Sequence, residues 1–439
     1  MYPPGTDKSR FGGLAVGVPG ELRGLWDIHS RWGKLKWRRL VEPSITMARS
    51  WKVRTELSRR LKRFGAFILD DPDWATTFAP NGKFLEEGDV LRRPAFAKTL
   101  ESIADGVEPF YTGAIGDSIL RKIASKGGIM TAEDLASYKP IIMPALEGSY
   151  RGRKIYTTRA PSSGPALLHI LNILETFDLV GEGRTGKNVH RLTEALKFGF
   201  AGRTRIADPQ FMVDTREIAK LATKEFGRVI AANLTDDITH DPDYYHPKYD
   251  VKEDHGTTHT SVVDSDGLVV GITSSINLVF GSRVLDPHTG IILNDEMDDF
   301  SVPGTPNAFG LWPSPYNYPE PGKRPLSSIA PIIMEKPNGY FHLVAGGSGG
   351  SRIFGSIVQT ILNVDWGMDV SAAVEQARVH DQLFPRNVSV ETTINDEEVL
   401  ALEAAGHRID FIDIRTGVAE VQAIHAAEEG LLHGEVPFS

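Results

Sequence analysis

The chain changes texture once, and that change limits the folds open to it. Before about residue 234, apolar residues recur every three to four positions over 21–64, 94–103, 115–125, 166–177 and 188–201, which predicts helices. Thr131-Ala-Glu-Asp134 adds a helix start with an acidic residue three after the threonine. A strand is expected at 153–158. Residues 235–255 are polar and charged, hold Pro242 and Pro247, and read as a linker. From Thr258 onward, 260–263, Asp264-Ser-Asp-Gly267 and 268–273 predict strand, tight turn and strand. Further strands are expected at 290–293, 329–334 and 340–344, and helices at 351–363, 370–377 and 396–405. Helices, then strands, then helices again point to the α+β class rather than to alternating βαβ units.

Composition narrows the function classes. A net charge of −9 over 439 residues argues against a nucleic-acid partner, whose phosphates call for a basic surface. The absence of cysteine removes disulfides, thiolate metal sites and a thiol nucleophile. No apolar stretch follows Met1 and no run of about eighteen apolar residues occurs, so neither a signal peptide nor a membrane span is expected and the compartment stays open. The sequons at Asn233 and Asn387 favour secretion only weakly.

Four stretches have residues suited to chemistry. The run Ala345-Gly-Gly-Ser-Gly-Gly-Ser351 follows an apolar strand and opens a helix, so its bare N–H groups suit an anion or oxyanion. It also fits G-x-S-x-G through Gly346, Ser348 and Gly350, although Asp381 and His380 stand badly for a serine triad. The plainer reading is a tight strand-to-helix turn. His240, His246, His255 and His259, with Asp250, Glu253 and Asp254 among them, suggest a metal site, but they lack any metal-binding spacing and read better as a solvated linker. Glu296-Met-Asp-Asp299 sets three carboxylates within four residues, a charged turn or a receptor for an ammonium group. Gly256-Thr-Thr-His259 lies where the linker ends. It is an ordinary strand start, or a threonine that becomes a nucleophile when a cut frees its α-amine, whose pKa of about 7.7–8 suits a general base.

Taken together, these motifs resemble the gamma-glutamyltranspeptidases. Gly256–Ser261, Ser274-Ser-Ile-Asn277, Phe280-Gly281, Gly290-Ile-Ile-Leu-Asn294, Glu296–Ser301, Lys323-Arg-Pro-Leu-Ser-Ser328 and Gly347–Arg352 stand in that family's order, joined by Gly17–Gly24, Pro161-Ser-Ser-Gly164 and Ala207-Asp-Pro209. The resemblance runs from about residue 12 to about 427. It implies an N-terminal-nucleophile hydrolase with a four-layer αββα sandwich, made as a precursor that cuts itself between Gly256 and Thr257. Residues 1–256 would form the large-subunit portion and 257–439 the small-subunit portion of one intertwined domain, a heterodimer from one precursor. The implied activity is hydrolysis or transfer of the γ-glutamyl group of glutathione or related amides through a threonyl acyl-enzyme. Water, an amino acid or a dipeptide would be the acceptor, with no metal or other cofactor. Carried over by position, Thr257 is the nucleophile and Ser275 its hydroxyl partner. Asn277, Glu296 and Asp299 hold the α-ammonium, Ser327 and Ser328 the α-carboxylate, Gly349 and Gly350 form the oxyanion hole, and Phe309 belongs to the lid.

Two departures accompany the resemblance. The family begins with a longer segment carrying an R-E-x-A-P motif, whose arginine pairs with the substrate carboxylate, and Met1-Tyr2 falls about ten residues beyond it. The expectation is an N-terminally truncated sequence. After about Ala427 the usual ending is also replaced. The alternative is therefore an impaired or uncut remnant of the family. A different acyl amide, such as a glutaryl one, is a further option, against which Glu296 and Asp299 weigh because it brings no ammonium.

Overall fold

Helix 164–174 of the chain is apolar on nearly every side, and such a helix belongs inside a molecule. In the computed structural model every residue of Gly164–Leu174 is buried. The structure describes residue 2 and residues 6–251, 256–414, 419–428 and 431–435. They form two compact units, one of residues 1–143 with 276–298 and one of 144–275 with 299–439.

The second unit is built on a six-stranded sheet in the order Leu431–Glu435, Glu420–Glu428, Phe341–Ser348, Ile332–Glu335, Arg153–Thr157, Leu146–Tyr150, every pair antiparallel. The helices Gly164–Leu174, Gly186–Arg203 and Ile353–Asp365 share one apolar core with Ile155, Ile332, Leu343 and Val421 of that sheet. The hairpin of Thr258–Val263 and Val269–Ser274 packs against the sheet at Gly271, whose Cβ position faces Val344 and Pro331. The α+β class of this unit is as the element order predicts.

Most expected elements are present. Pro94–Ile103 forms over the expected residues, and Thr131 and Asp134 close a reciprocal capping box. The Gly-rich strand is longer than its apolar run suggests, reaching Ser348 instead of ending near Val344. Gly346 and Gly347 stay in the strand because a Cβ on either would lie 2.2 Å from the His259 ring or 2.5 Å from Glu420 O. Strands Val388–Glu391, Ile409–Ile412, Glu420–Glu428 and Leu431–Glu435 add to the expected set; Val388-Ser-Val-Glu391 alternates but is only four residues long, and the other three lack a clean alternation. The last of them pairs at the edge of the six-stranded sheet, so the departing C-terminus still adds a strand.

The first unit holds the helices of residues 21–125 with 276–298 threaded among them. Trp74, Phe78, Leu61 and Ile68 pack with Phe280 and Leu285, while Ile119 and Ile123 pack with Val284 and Leu293. Among the described residues no helix is long and apolar enough to cross a membrane.

Candidate active site

Gly256 and Thr257 lead into the hairpin, whose register sets Thr258 opposite Ser274 and so brings Ser275 beside the Gly256–Thr257 peptide. Gly256 has φ +49°, a conformation that strains any residue with a Cβ. Its carbonyl oxygen accepts the Thr257 hydroxyl at 2.5 Å and the Ser275 hydroxyl at 2.6 Å. The candidate nucleophile and its partner hydroxyl thus both address one peptide group in the uncut chain.

His259 ties this hairpin to the sheet. Its Nδ1 meets Thr273 Oγ1 at 2.8 Å and its Nε2 meets Ser261 Oγ at 2.9 Å, and Ser261 in turn donates to Gln422 O at 3.4 Å. Burial pushes the imidazole down to about 4, so it is neutral near pH 7. The ring lies against Gly346, three residues before Gly349. Gly349 and Gly350 have φ +116° and +61°, consecutive positive values that turn the chain from the strand into Gly350–Arg352 and helix Ile353–Asp365. Successive backbone N–H groups in such a turn make an anion-binding concavity. The serine-triad alternative fails on partners, because His380 Nε2 engages Gln382 Oε1 at 3.0 Å and Asp381 pairs with Lys197 at 3.5 Å.

The Ser327–Ser328 turn is clamped along its length. Arg324 grips Asp208 through Nε at 3.0 Å and Nη2 at 2.8 Å, and Leu326 N donates to Asn317 Oδ1 at 2.9 Å. Asn317 Nδ2 also donates to the carbonyl of Asp299, at 2.8 Å. Phe309 of the expected lid is 42% exposed and packs on Phe384 with ring centroids 4.6 Å apart. The lid turn is closed by Asn307, whose Oδ1 accepts from Phe309 N and Leu311 N and whose Nδ2 reaches Asp250.

Asn277 and Glu296 belong to the first unit, whereas Thr257, Ser275, Asp299, Ser327, Ser328, Gly349 and Gly350 belong to the second. Asn277 is buried in the left-handed region at φ +66°, where asparagine is tolerated better than most residues. Its Nδ2 donates to Asp295 Oδ2 at 3.3 Å, and Leu278 N donates to Asp295 Oδ1 at 2.9 Å. Burial first, then Glu296 and Asp298, push the Asp295 carboxyl up to about 8 against the Leu278 N–H. Asn294 bridges this segment to Gly17 through bonds of 2.9 and 3.0 Å and accepts from Glu296 N at 3.0 Å. Glu296 and Asp299 are the two ends of one 3₁₀ turn.

Residues 1–436 match the family model described as Gamma-glutamyltranspeptidase. The chain belongs to the gamma-glutamyltranspeptidase family. It is 42% identical to glutathione hydrolase proenzyme 1 of Schizosaccharomyces pombe, over 99% of this chain and 70% of that one. With the glutathione hydrolase proenzyme of Escherichia coli the identity is 34%, over 98% and 75%. Among solved structures, a cephalosporin acylase from Bacillus halodurans superimposes with a TM-score of 0.83 at 24% identity, over 99% of this chain and 79% of the other, so the two chains share a fold. The Helicobacter pylori gamma-glutamyltranspeptidase matches with a TM-score of 0.51 at 30% identity, over 54% and 69%.

The histidine-rich linker does not assemble a ligand set among its described residues. His240 stacks on Tyr244 at 3.8 Å, His259 serves the hairpin, and His255 lies outside the described residues. The group that does converge is His190, Glu194 and His407, all buried. Lys197 Nζ lies 3.1 Å from Glu194 Oε1 and 3.3 Å from His407 Nδ1, so an ammonium already supplies the positive charge there. Sequence spacing carried no hint of this cluster, because His407 reaches it from more than 200 residues away.

Proposed function

We propose that the chain is a precursor that cuts itself between Gly256 and Thr257 and then acts as a γ-glutamyl hydrolase and transferase on glutathione and related amides. The observation that carries this reading is the double engagement of the Gly256 carbonyl by Thr257 and Ser275, at the peptide bond where the resemblance puts the cut. In the first stage Thr257 Oγ1 attacks the Gly256 carbonyl carbon. The C–N bond breaks, the hydroxyl proton passes to the leaving nitrogen, and water then opens the ester to give a Gly256 carboxylate and a free Thr257 α-amine. Ser275, donating to the oxygen on which negative charge develops, stabilises that step.

In the second stage the α-amine takes the proton of Oγ1 as it attacks the γ-glutamyl carbonyl, then delivers it to the departing amine. Gly349 N–H and Gly350 N–H hold the oxyanion. Asn277, Glu296 and Asp299 receive the α-ammonium, and Ser327 and Ser328 the α-carboxylate. Water resolves the acyl-enzyme by hydrolysis, and the amine of an amino acid or dipeptide resolves it by transfer. The pieces 1–256 and 257–439 remain a heterodimer, supported by the pairing of Arg153–Thr157 with Ile332–Glu335 across the cut.

A denaturing gel tests the reading. The purified protein should run as bands of about 28 and 20 kDa, and Thr257→Ala as one band of about 48 kDa. A single uncut band from the unaltered chain, matching Thr257→Ala, would restore the remnant alternative.

A further inference from the structure

Two family motifs have no part in the chemistry above, Pro161–Gly164 and Ala207–Pro209, and neither does the arginine that ends the helix Gly186–Arg203 just before the second of them. Pro161–Gly164 and Arg203 meet the Ser327–Ser328 turn, while Asp208 holds Arg324 just before it. Arg203 is 2% exposed, and its Nη2 donates to Ser328 Oγ at 2.8 Å while its Nε donates to Ser163 Oγ at 3.1 Å. Ser163 Oγ passes the connection on, donating to the Ser327 carbonyl at 2.7 Å. The backbones interlock as well, with Ser327 N on Pro161 O at 3.1 Å and Ser163 N on Ile329 O at 3.0 Å.

A guanidinium has donors only. A hydroxyl oxygen that receives its N–H must send its own proton to an acceptor elsewhere, and Ser328 is in that position. Ser327 Oγ is set the same way by the backbone, since it accepts Ile329 N–H at 3.2 Å. Two adjacent hydroxyls, each with an oxygen already receiving a protein donor, are preset as donors, and a carboxylate is the acceptor with two oxygens to match. A hydrogen bond received by a hydroxyl also polarises it toward donating.

We propose that Arg203 and Ser163 are positioning residues for the substrate's α-carboxylate: Arg203 presets the Ser328 hydroxyl as a donor, and Ser163, holding both Arg203 and the Ser327 carbonyl, keeps the two serine hydroxyls side by side. This rests on the γ-glutamyl reading. Arg203 acts through Ser328 and need not touch substrate, and its planar fork is what allows one side chain to hold Ser163 and Ser328 together. A lysine, with a single ammonium, does not reproduce that fork.

The test uses the processed enzyme and two anilides, γ-glutamyl and 4-aminobutyryl, the second lacking only the α-carboxylate. The unaltered enzyme should prefer the γ-glutamyl anilide. Arg203→Lys and Ser163→Ala should shrink that preference by about tenfold or more, chiefly through KM, as expected for loss of a hydrogen bond to a charged group. Ser163→Thr, which keeps a hydroxyl, should restore most of it. Equal losses on both anilides, or an unchanged preference, would overturn the proposal. If Arg203→Lys does not accumulate as folded protein, the Ser163→Ala and Ser163→Thr pair decides alone by the same ratio. An unaltered enzyme that cuts itself yet shows no preference between the anilides would reject the γ-glutamyl reading, and this proposal with it.

Discussion

At the scale of single residues, the site depends on groups whose partners set what they can do. Ser275 faces the carbonyl oxygen of Gly256. Ser275→Ala should therefore slow the appearance of the two bands by roughly 10²-fold, the usual effect of losing one oxyanion donor, while Ser275→Thr keeps the rate within a few fold. Asp295 is a different case. Its carboxyl is held up at about 8 in the folded chain against an ordinary value of 3.8, so between those values the native state binds a proton that the unfolded state has lost. Stability should fall as pH rises through this window, by at most about 1.4 kcal/mol per pH unit, and be fully reduced above about pH 8. Asp295→Asn, which mimics the protonated form, should flatten the pH dependence of the melting temperature between pH 5 and 8. A slope equal to that of the unaltered chain would exclude Asp295 as its source.

At the scale of elements, the Gly-rich strand and the hairpin that follows Thr257 are fitted to each other through one imidazole. A Cβ at Gly346 would sit 2.2 Å from His259 Nδ1 and Cε1, so Gly346→Ala must expel the ring and break its bonds to Thr273 and Ser261. The expected cost is about 1–3 kcal/mol of stability, with slower cleavage. In a His259→Ala background the same substitution should cost measurably less, because the clash is gone, and a double-mutant cycle by urea unfolding reads the difference. Additive effects would mean that ring and glycine are not coupled. This pairing also explains why the strand runs past Val344. The run of glycines looks like a loop until the imidazole that needs the space is known.

At the scale of the whole molecule, the proposed cut does not follow the boundary between compact units. The unit of residues 1–143 with 276–298 and the unit of 144–275 with 299–439 each draw chain from both sides of residue 256. After cleavage the two pieces should therefore elute as one species of about 48 kDa or a multiple of it, and separate only in denaturant. Separation under native conditions would contradict the interleaving. The buried cluster around Lys197 makes a second prediction. Its ammonium serves Glu194 on its own helix and Thr239, Asp381 and His407, which reach it from other parts of the chain. Lys197→Met should cost about 3–5 kcal/mol in urea unfolding by leaving buried carboxylates unpaired. A loss below about 1 kcal/mol would show that the cluster is not holding these segments together.

The sequence by itself determined the class and the family, and it supplied the candidate positions for the reacting residues. Periodicity marks helices such as Pro94–Ile103 and the hairpin around Asp264–Gly267, and the motif order from Gly256 to Arg352 names the chemistry. Such signals survive in one dimension because they are local, set by residue spacing of 3.6 or 2 or by neighbours a few positions apart. Only the tertiary structure decided which side chains stand behind the site. Arg203 and Ser163 lie 125 and 164 positions from the serines they hold, Asn294 reaches back 277 positions to Gly17, and the late strands pair by register rather than by pattern. A hydrogen bond between distant residues leaves no periodic trace in a single sequence. It exists only once packing has brought donor and acceptor within about 3 Å.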